Sequence, residues 1–193
     1  MTVLEAPDPD VTLIWRRPGE LVVAGPRTTA RYYADQPGRT CHLMRFQPGR
    51  AAGFLDIPLR ELVDRAVPAA EVLKRRRVGS THRGLVTAAI PLLSGGAARR
   101  PVAEAARELH VSERHLRNVF TEQTGLTPAQ FVRIDRVRRV LAGLGRRLPE
   151  VAADAGYYDQ SHMGAEFRRV MGTTPAAFRN HDWPPSETCH PDR

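Results

Sequence analysis

Arg114, Arg117, Asn118 and Thr121 are spaced i, i+3, i+4, i+7, which on a helix puts all four side chains on one face. Arginine can bond both acceptors on the edge of a guanine, and asparagine suits adenine, so this face has the chemistry to read base edges. Between them, Leu116, Val119 and Phe120 fall on the opposite, apolar face. An ordinary solvated helix in a bundle could carry the same polar side chains, so the set needs support from its surroundings. The sequence offers no Ser-His-Asp, paired-carboxylate or phosphate-loop motif. His82, His110, His115, His162, His181 and His190 come with no ligand pair at zinc spacing, and Cys189-His190 stands alone in the Pro-rich tail "WPPSETCHPDR". No metal, cofactor or catalysis is therefore expected.

The support comes from a repeat. "SERHLRNVFTEQTGLTP", from Ser112 to Pro128, returns as "DQSHMGAEFRRVMGTTP" from Asp159 to Pro175. At an offset of 47 (174 − 127), His115 falls on His162, Phe120 on Phe167, Gly125 on Gly172 and Phe131 on Phe178, with Ala105-Ala106 falling on Ala152-Ala153. A period of this size marks a duplicated supersecondary unit. The copied signals describe it. A helix over about 102–109 precedes a turn at His110-Val111, and Ser112 caps a second helix. Gly125 stops that helix in left-handed conformation, and Thr127-Pro128 opens the next.

Upstream, "VTLIWRR", "ELVVAGP", "ARYYA" and "CHLMRFQ" predict short strands over 11–17, 20–26, 30–34 and 41–47, the first two joined as a hairpin through Arg17-Pro18-Gly19. "PLRELVDRA" and "PAAEVLKRRR" predict short helices, and four strands make either an open sheet or an incomplete domain, since small closed barrels need about eight. A junction is expected at 79–82. The organisation is then α+β: a short antiparallel β segment in a domain over 1–80, an all-α domain over 81–182, and a disordered tail over 183–193.

The apolar share of 41% and charged share of 26% are those of a globular chain. No apolar stretch is long enough to span a bilayer and the N-terminus lacks signal-peptide features, so a cytoplasmic protein with no membrane partner is expected. Two cysteines make no disulfide framework. The net charge of +8 is carried almost wholly by arginine and calls for an anionic partner. It concentrates around the first repeat copy: from Arg99 to Arg147 there are 11 arginines against 5 acids.

Residues 83–181 resemble the DNA-binding module of AraC/XylS-type bacterial transcription regulators. The motifs are "VAEAARELHVSERHLRNVFTEQTGLTPAQFV" and "LPEVAADAGYYDQSHMGAEFRRVMGTTPAAFR", above all "GYYDQSH" and the closing "GTTPAAFR". The resemblance implies about seven helices in two helix-turn-helix subdomains joined by a long helix over about 128–144. Its partner would be double-stranded DNA, read in two successive major-groove segments; RNA polymerase and a small-molecule effector are open. Base-reading positions carry over onto Arg114, Arg117 and Asn118, and in the second copy onto Gln160, Ser161 and Ala165, with Gly164 beside them. Phosphate contacts are expected from Arg100, Arg136, Arg139, Arg147, Arg168 and Arg169, and from the helix N-termini at Ser112 and Asp159.

The pattern is broken at His110, where the family usually has glycine, and at Pro91, which should kink or shorten the first helix. The β-rich half is similar to domains found in front of this module, which normally begin further upstream, so a domain lacking its first strands is expected. An alternative is therefore an interaction module, antagonist of a full-length paralogue, with weakened DNA contact. A third is a thiol alkyl acceptor at Cys41, since some regulators with this module transfer alkyl groups to cysteine; a structural role in a strand is the better expectation for that residue.

Overall fold

The computed structural model describes residues 2–16, 19–34, 41–73 and 82–186. Four strands form an open antiparallel sheet in the order β5-β2-β3-β6: Val11–Arg16 (β2), Glu20–Ala24 (β3), Cys41–Phe46 (β5) and Ala66–Pro68 (β6). The hairpin of β2 and β3 is the expected one, with Trp15 opposite Leu21; residues 17–18 of its turn lie outside the described residues. A separate two-stranded ribbon pairs Thr2–Glu5 (β1) with Arg31–Ala34 (β4).

Strands β1 and β6 were not anticipated, and the two helices expected between 58 and 77 shrink to a single turn at Leu59–Glu61 and a four-residue helix, Ala69–Val72 (α1). The cause is local. Pro68 disfavours helical backbone at Val67, so Ala66–Pro68 extends and pairs with β3. The apolar pair Leu59 and Leu62 needs only one turn to enter the core with Val11, Val23, Leu55 and Val72.

The helical half follows its start and stop signals. Seven helices are described there: Arg83–Leu93 (α2), Val102–Glu108 (α3), Glu113–Thr124 (α4), Pro128–Gly143 (α5), Leu148–Asp154 (α6), Gln160–Met171 (α7) and Pro175–Arg179 (α8). Pro91 sits in the last turn of α2, which ends two residues later. Thr127 and Gln130 form a reciprocal capping box that opens α5. One core gathers Val86, Leu93, Ala106, Leu116, Phe120 and Phe131. Another gathers Val137, Ala152, Met163, Phe167 and Val170.

The repeat has two offsets. Helices α4 and α7 correspond at 47, but α3 and α6 start at Val102 and Leu148, which is 46 (148 − 102). Buried Ala106 therefore matches Ala152, one residue away from the sequence alignment. The turn hydrogen bonds agree. Val111 N–H donates to Ala106 O at 3.0 Å and Tyr157 N–H to Ala152 O at 2.9 Å, the 6→1 bond that closes a helix end. The second turn thus holds one extra residue, Tyr158, and it is 93% exposed.

The β-rich half packs on both helix pairs. Ala30 N–H donates to Val170 O at 2.8 Å and the Tyr32 hydroxyl to Met171 O at 2.8 Å, so the last carbonyls of α7 are capped from the β ribbon. Gly125, at φ +78°, lies so close to Leu59 that a Cβ there would come within 2.6 Å of the Leu59 carbonyl oxygen. Arg138 on α5 pairs with Asp8 at 2.9 Å. The tail expected from 183 onward starts out packed: Trp183 stacks on Phe178 at 5.5 Å and donates Nε1 to its carbonyl at 3.2 Å. The rest of that expected tail, from 187, and most of the 79–82 junction fall outside the described residues.

Candidate nucleic-acid interface

Each candidate reading helix begins with a side-chain cap. Ser112 Oγ accepts the N–H of His115 at 3.1 Å, and Asp159 Oδ1 accepts that of His162 at 2.7 Å. Both cap side chains are thereby engaged, so what these termini offer an anion is the remaining free backbone N–H groups and the positive end of the helix dipole. The apolar face of α4 is buried through Leu116, Val119 and Phe120, and that of α7 through Met163, Phe167 and Val170. That burial turns the polar faces outward.

On α4, Arg114, Arg117 and Asn118 are exposed and Thr121 is half-buried. Arg117 is held by Glu113, one turn back, with Nε and Nη2 at 2.8 and 2.5 Å from the same carboxylate oxygen. On α7, Gln160, Ser161 and Ala165 are exposed and Gly164 is half-buried. Both trios are exposed, and the i, i+3, i+4 spacing puts Arg114, Arg117 and Asn118 on one face of α4. Tyr158, standing out just ahead of the Asp159 cap, is absent from the sequence-derived set. Only the change of offset between the two copies marks it.

The expected phosphate contacts divide. Arg168 and Arg169 are exposed at the C-terminal turn of α7 and have no ion pair among the described residues. Arg147 is 83% exposed, with Glu150 at 3.7 Å. Arg100 pairs with Glu108 at 3.1 Å and Arg139 with Asp135 at 2.9 Å, both near the surface. Arg136 is different. Its side chain is 12% exposed, hydrogen-bonds to Gly156 O, lies 4.6 Å over the Tyr157 ring and faces Glu166 at 3.8 Å. It is a pin between α5 and the second helix pair, with its guanidinium turned inward and not toward solvent. A long arginine at a half-buried helix position and one at the surface look alike in sequence.

That pin belongs to a small network. Glu166 on α7 also accepts the Tyr157 hydroxyl at 2.9 Å and has Arg133 at 3.7 Å. Burial, reinforced by the Glu166 carboxylate, pushes the Tyr157 phenol well above its ordinary range, which keeps it a donor. The turn it closes approaches the other subdomain closely: a Cβ on Gly156 would come within 2.6 Å of Gly96 O. His115 and His162 are exposed, their rings edge-on to His82 and Tyr157 at 6.0 and 5.3 Å. Cys41 is exposed at the start of the edge strand β5.

Residues 105–181 match the family model of a helix-turn-helix domain. The chain is 25% identical over 109 residues to the HTH-type transcriptional regulator ArgR of Pseudomonas aeruginosa, covering 55% of this chain and 33% of that protein. It is 27% identical over 145 residues to the HTH-type transcriptional activator RhaR of Yersinia pseudotuberculosis, covering 69% of this chain and 49% of that protein. Among solved structures, a DNA-binding transcriptional dual regulator from Escherichia coli K-12 aligns with a TM-score of 0.44 at 24% identity, covering 50% of this chain and 96% of that one. The chain thus spans half or less of the length of these curated relatives.

Proposed function

We propose that residues 105–181, which match a helix-turn-helix family model, form an AraC-type module, and that the protein is a transcription regulator that binds duplex DNA with both helix pairs. Helices α4 and α7 would enter successive major-groove segments on one side of the duplex, about one turn or ~34 Å apart. The observation that carries this is the matched pair of capped helices, each with its apolar face buried and its polar face open. Arg114, Arg117, Asn118 and Thr121 read one segment. Gln160, Ser161 and Ala165 read the other, where small side chains specify less. Arg168 and Arg169, with Arg100, Arg139 and Arg147 after release of their carboxylate partners, neutralise phosphates.

Sequence selection on the purified chain, followed by gel shifts across a salt series, tests this reading. A selected site with two segments, and a log K that falls by about 0.9 per phosphate contacted, is the expected result. The absence of any selected sequence together with a salt slope near zero would sink it, and would favour a partner-binding role for the helical half instead.

A further inference from the structure

We infer that Glu113 is a specificity-determining residue, which orients Arg117 for guanine at the cost of general DNA affinity. The inference rests on the proposal that α4 reads base edges. A guanidinium has two bidentate edges, Nε with Nη2 and Nη1 with Nη2. In Arg117 the first is taken by a single oxygen of Glu113, at 2.8 and 2.5 Å. The second edge is therefore the one left to meet a base, and guanine presents the matching acceptors O6 and N7 in the major groove. Arg114, one residue after Glu113, has no ion pair among the described residues and can turn to phosphate or base alike.

In the free protein this pair contributes little to stability. Both side chains are about half exposed, 49% and 42%, and exposed i,i+4 pairs add little to stability. In a groove the same pair loses its water and strengthens. It holds a long side chain in one orientation before binding, so less rotamer freedom is lost on contact with the base. The Glu113 carboxylate meanwhile faces a polyanion, and its charge opposes every phosphate nearby. Discrimination and overall affinity are thus pulled in opposite directions by one residue, which a purely structural role would not do.

The test compares wild type, Glu113→Gln and Arg117→Ala by sequence selection, and by binding to an unrelated duplex at fixed salt. Glutamine keeps the shape and removes the charge, and its position at the exposed start of α4 leaves the helix intact, as circular dichroism would verify. For Glu113→Gln the guanine preference at one base pair should fall at least about fivefold, within the range one bidentate contact supplies. Binding to unrelated duplex should rise, about two- to fivefold, because a repelling charge is gone. Arg117→Ala should lose the same preference without gaining affinity. A preference as sharp in Glu113→Gln as in wild type, but lost in Arg117→Ala, would show that Arg117 reads its base unaided and overturn the inference. A guanine preference that survives Arg117→Ala, or none in wild type, would overturn the base-reading role of Arg117 itself, and the inference with it.

Discussion

The hydroxyl of Tyr32 donates to the main-chain oxygen of Met171 across 139 residues of sequence, at 2.8 Å and out of contact with water. A strand of the N-terminal ribbon thereby completes the last turn of α7. Tyr32→Phe keeps the ring against Trp183, 6.0 Å away, but leaves a buried carbonyl without its partner, which costs about 1–3 kcal/mol. Chemical denaturation at neutral pH should show that loss. Burial also pushes the Tyr32 phenol up to about 12. Because the folded value is raised, the contribution is complete below the ordinary tyrosine value of about 10 and fades as pH climbs toward 12. The stability gap between wild type and Tyr32→Phe should therefore narrow over that interval, and a gap constant in pH would contradict the assignment.

The turn after α3 carries a histidine where its counterpart after α6 carries a glycine. His110 sits at φ +55° and Gly156 at +77°. A side chain in left-handed backbone costs about 1–2 kcal/mol, from which the greater freedom of glycine in the unfolded chain must be subtracted. His110→Gly should then raise stability by about 0.5–1 kcal/mol, seen as a shifted denaturation midpoint with unchanged slope.

The inward course of Arg136 makes a separable forecast. Arg136→Ala removes the Gly156 carbonyl's partner and a positive charge from largely buried Glu166. Stability should drop by roughly 2–4 kcal/mol, in line with breaking a buried pair from one side. Below the melting range, the salt slope of DNA binding should stay as in wild type. A slope reduced by about one contact would return Arg136 to the interface.

The two candidate reading helices should respond differently to arginine loss. Arg117→Ala is expected to relax preference at one base position, whereas Arg168→Ala should weaken binding to all sequences alike and lower the salt slope by about 0.9. Quantitative selection on both variants distinguishes them. If the segment facing α7 proves as sharply defined as the one facing α4, the small side chains at 161, 164 and 165 are not limiting.

The helical half was legible because its punctuation is local. Ser112, Gly125, Thr127, Asp159, Gly172 and Thr174 act on backbone groups within four residues of themselves, and the structure shows each in the expected cap. Pairing across distance is harder to read. Pro68 keeps 66–68 from being helical, but the partner that makes it a strand, Val22 to Ala24, comes from far along the chain, and nothing within 66–68 announces that neighbour. The alignment of Ala105-Ala106 on Ala152-Ala153 misled for a related reason, since runs of alanine match at either offset. Only the backbone bonds of the turns decide between them. At the candidate interface, spacing gave the shared face of Arg114, Arg117 and Asn118, but not the Glu113 clamp or the inward course of Arg136, which depend on three-dimensional neighbours.

The grip of Leu59 on the Gly125 turn and of Ala30 on Val170 has a mechanical side. Each lies at the C-terminal end of a 12-residue helix about 18 Å long, whose other end is held by its own cap and by buried Leu116 or Met163. The β-rich half and the helix pairs thus secure opposite ends of α4 and α7, so the direction of each helix axis is set by both halves of the chain.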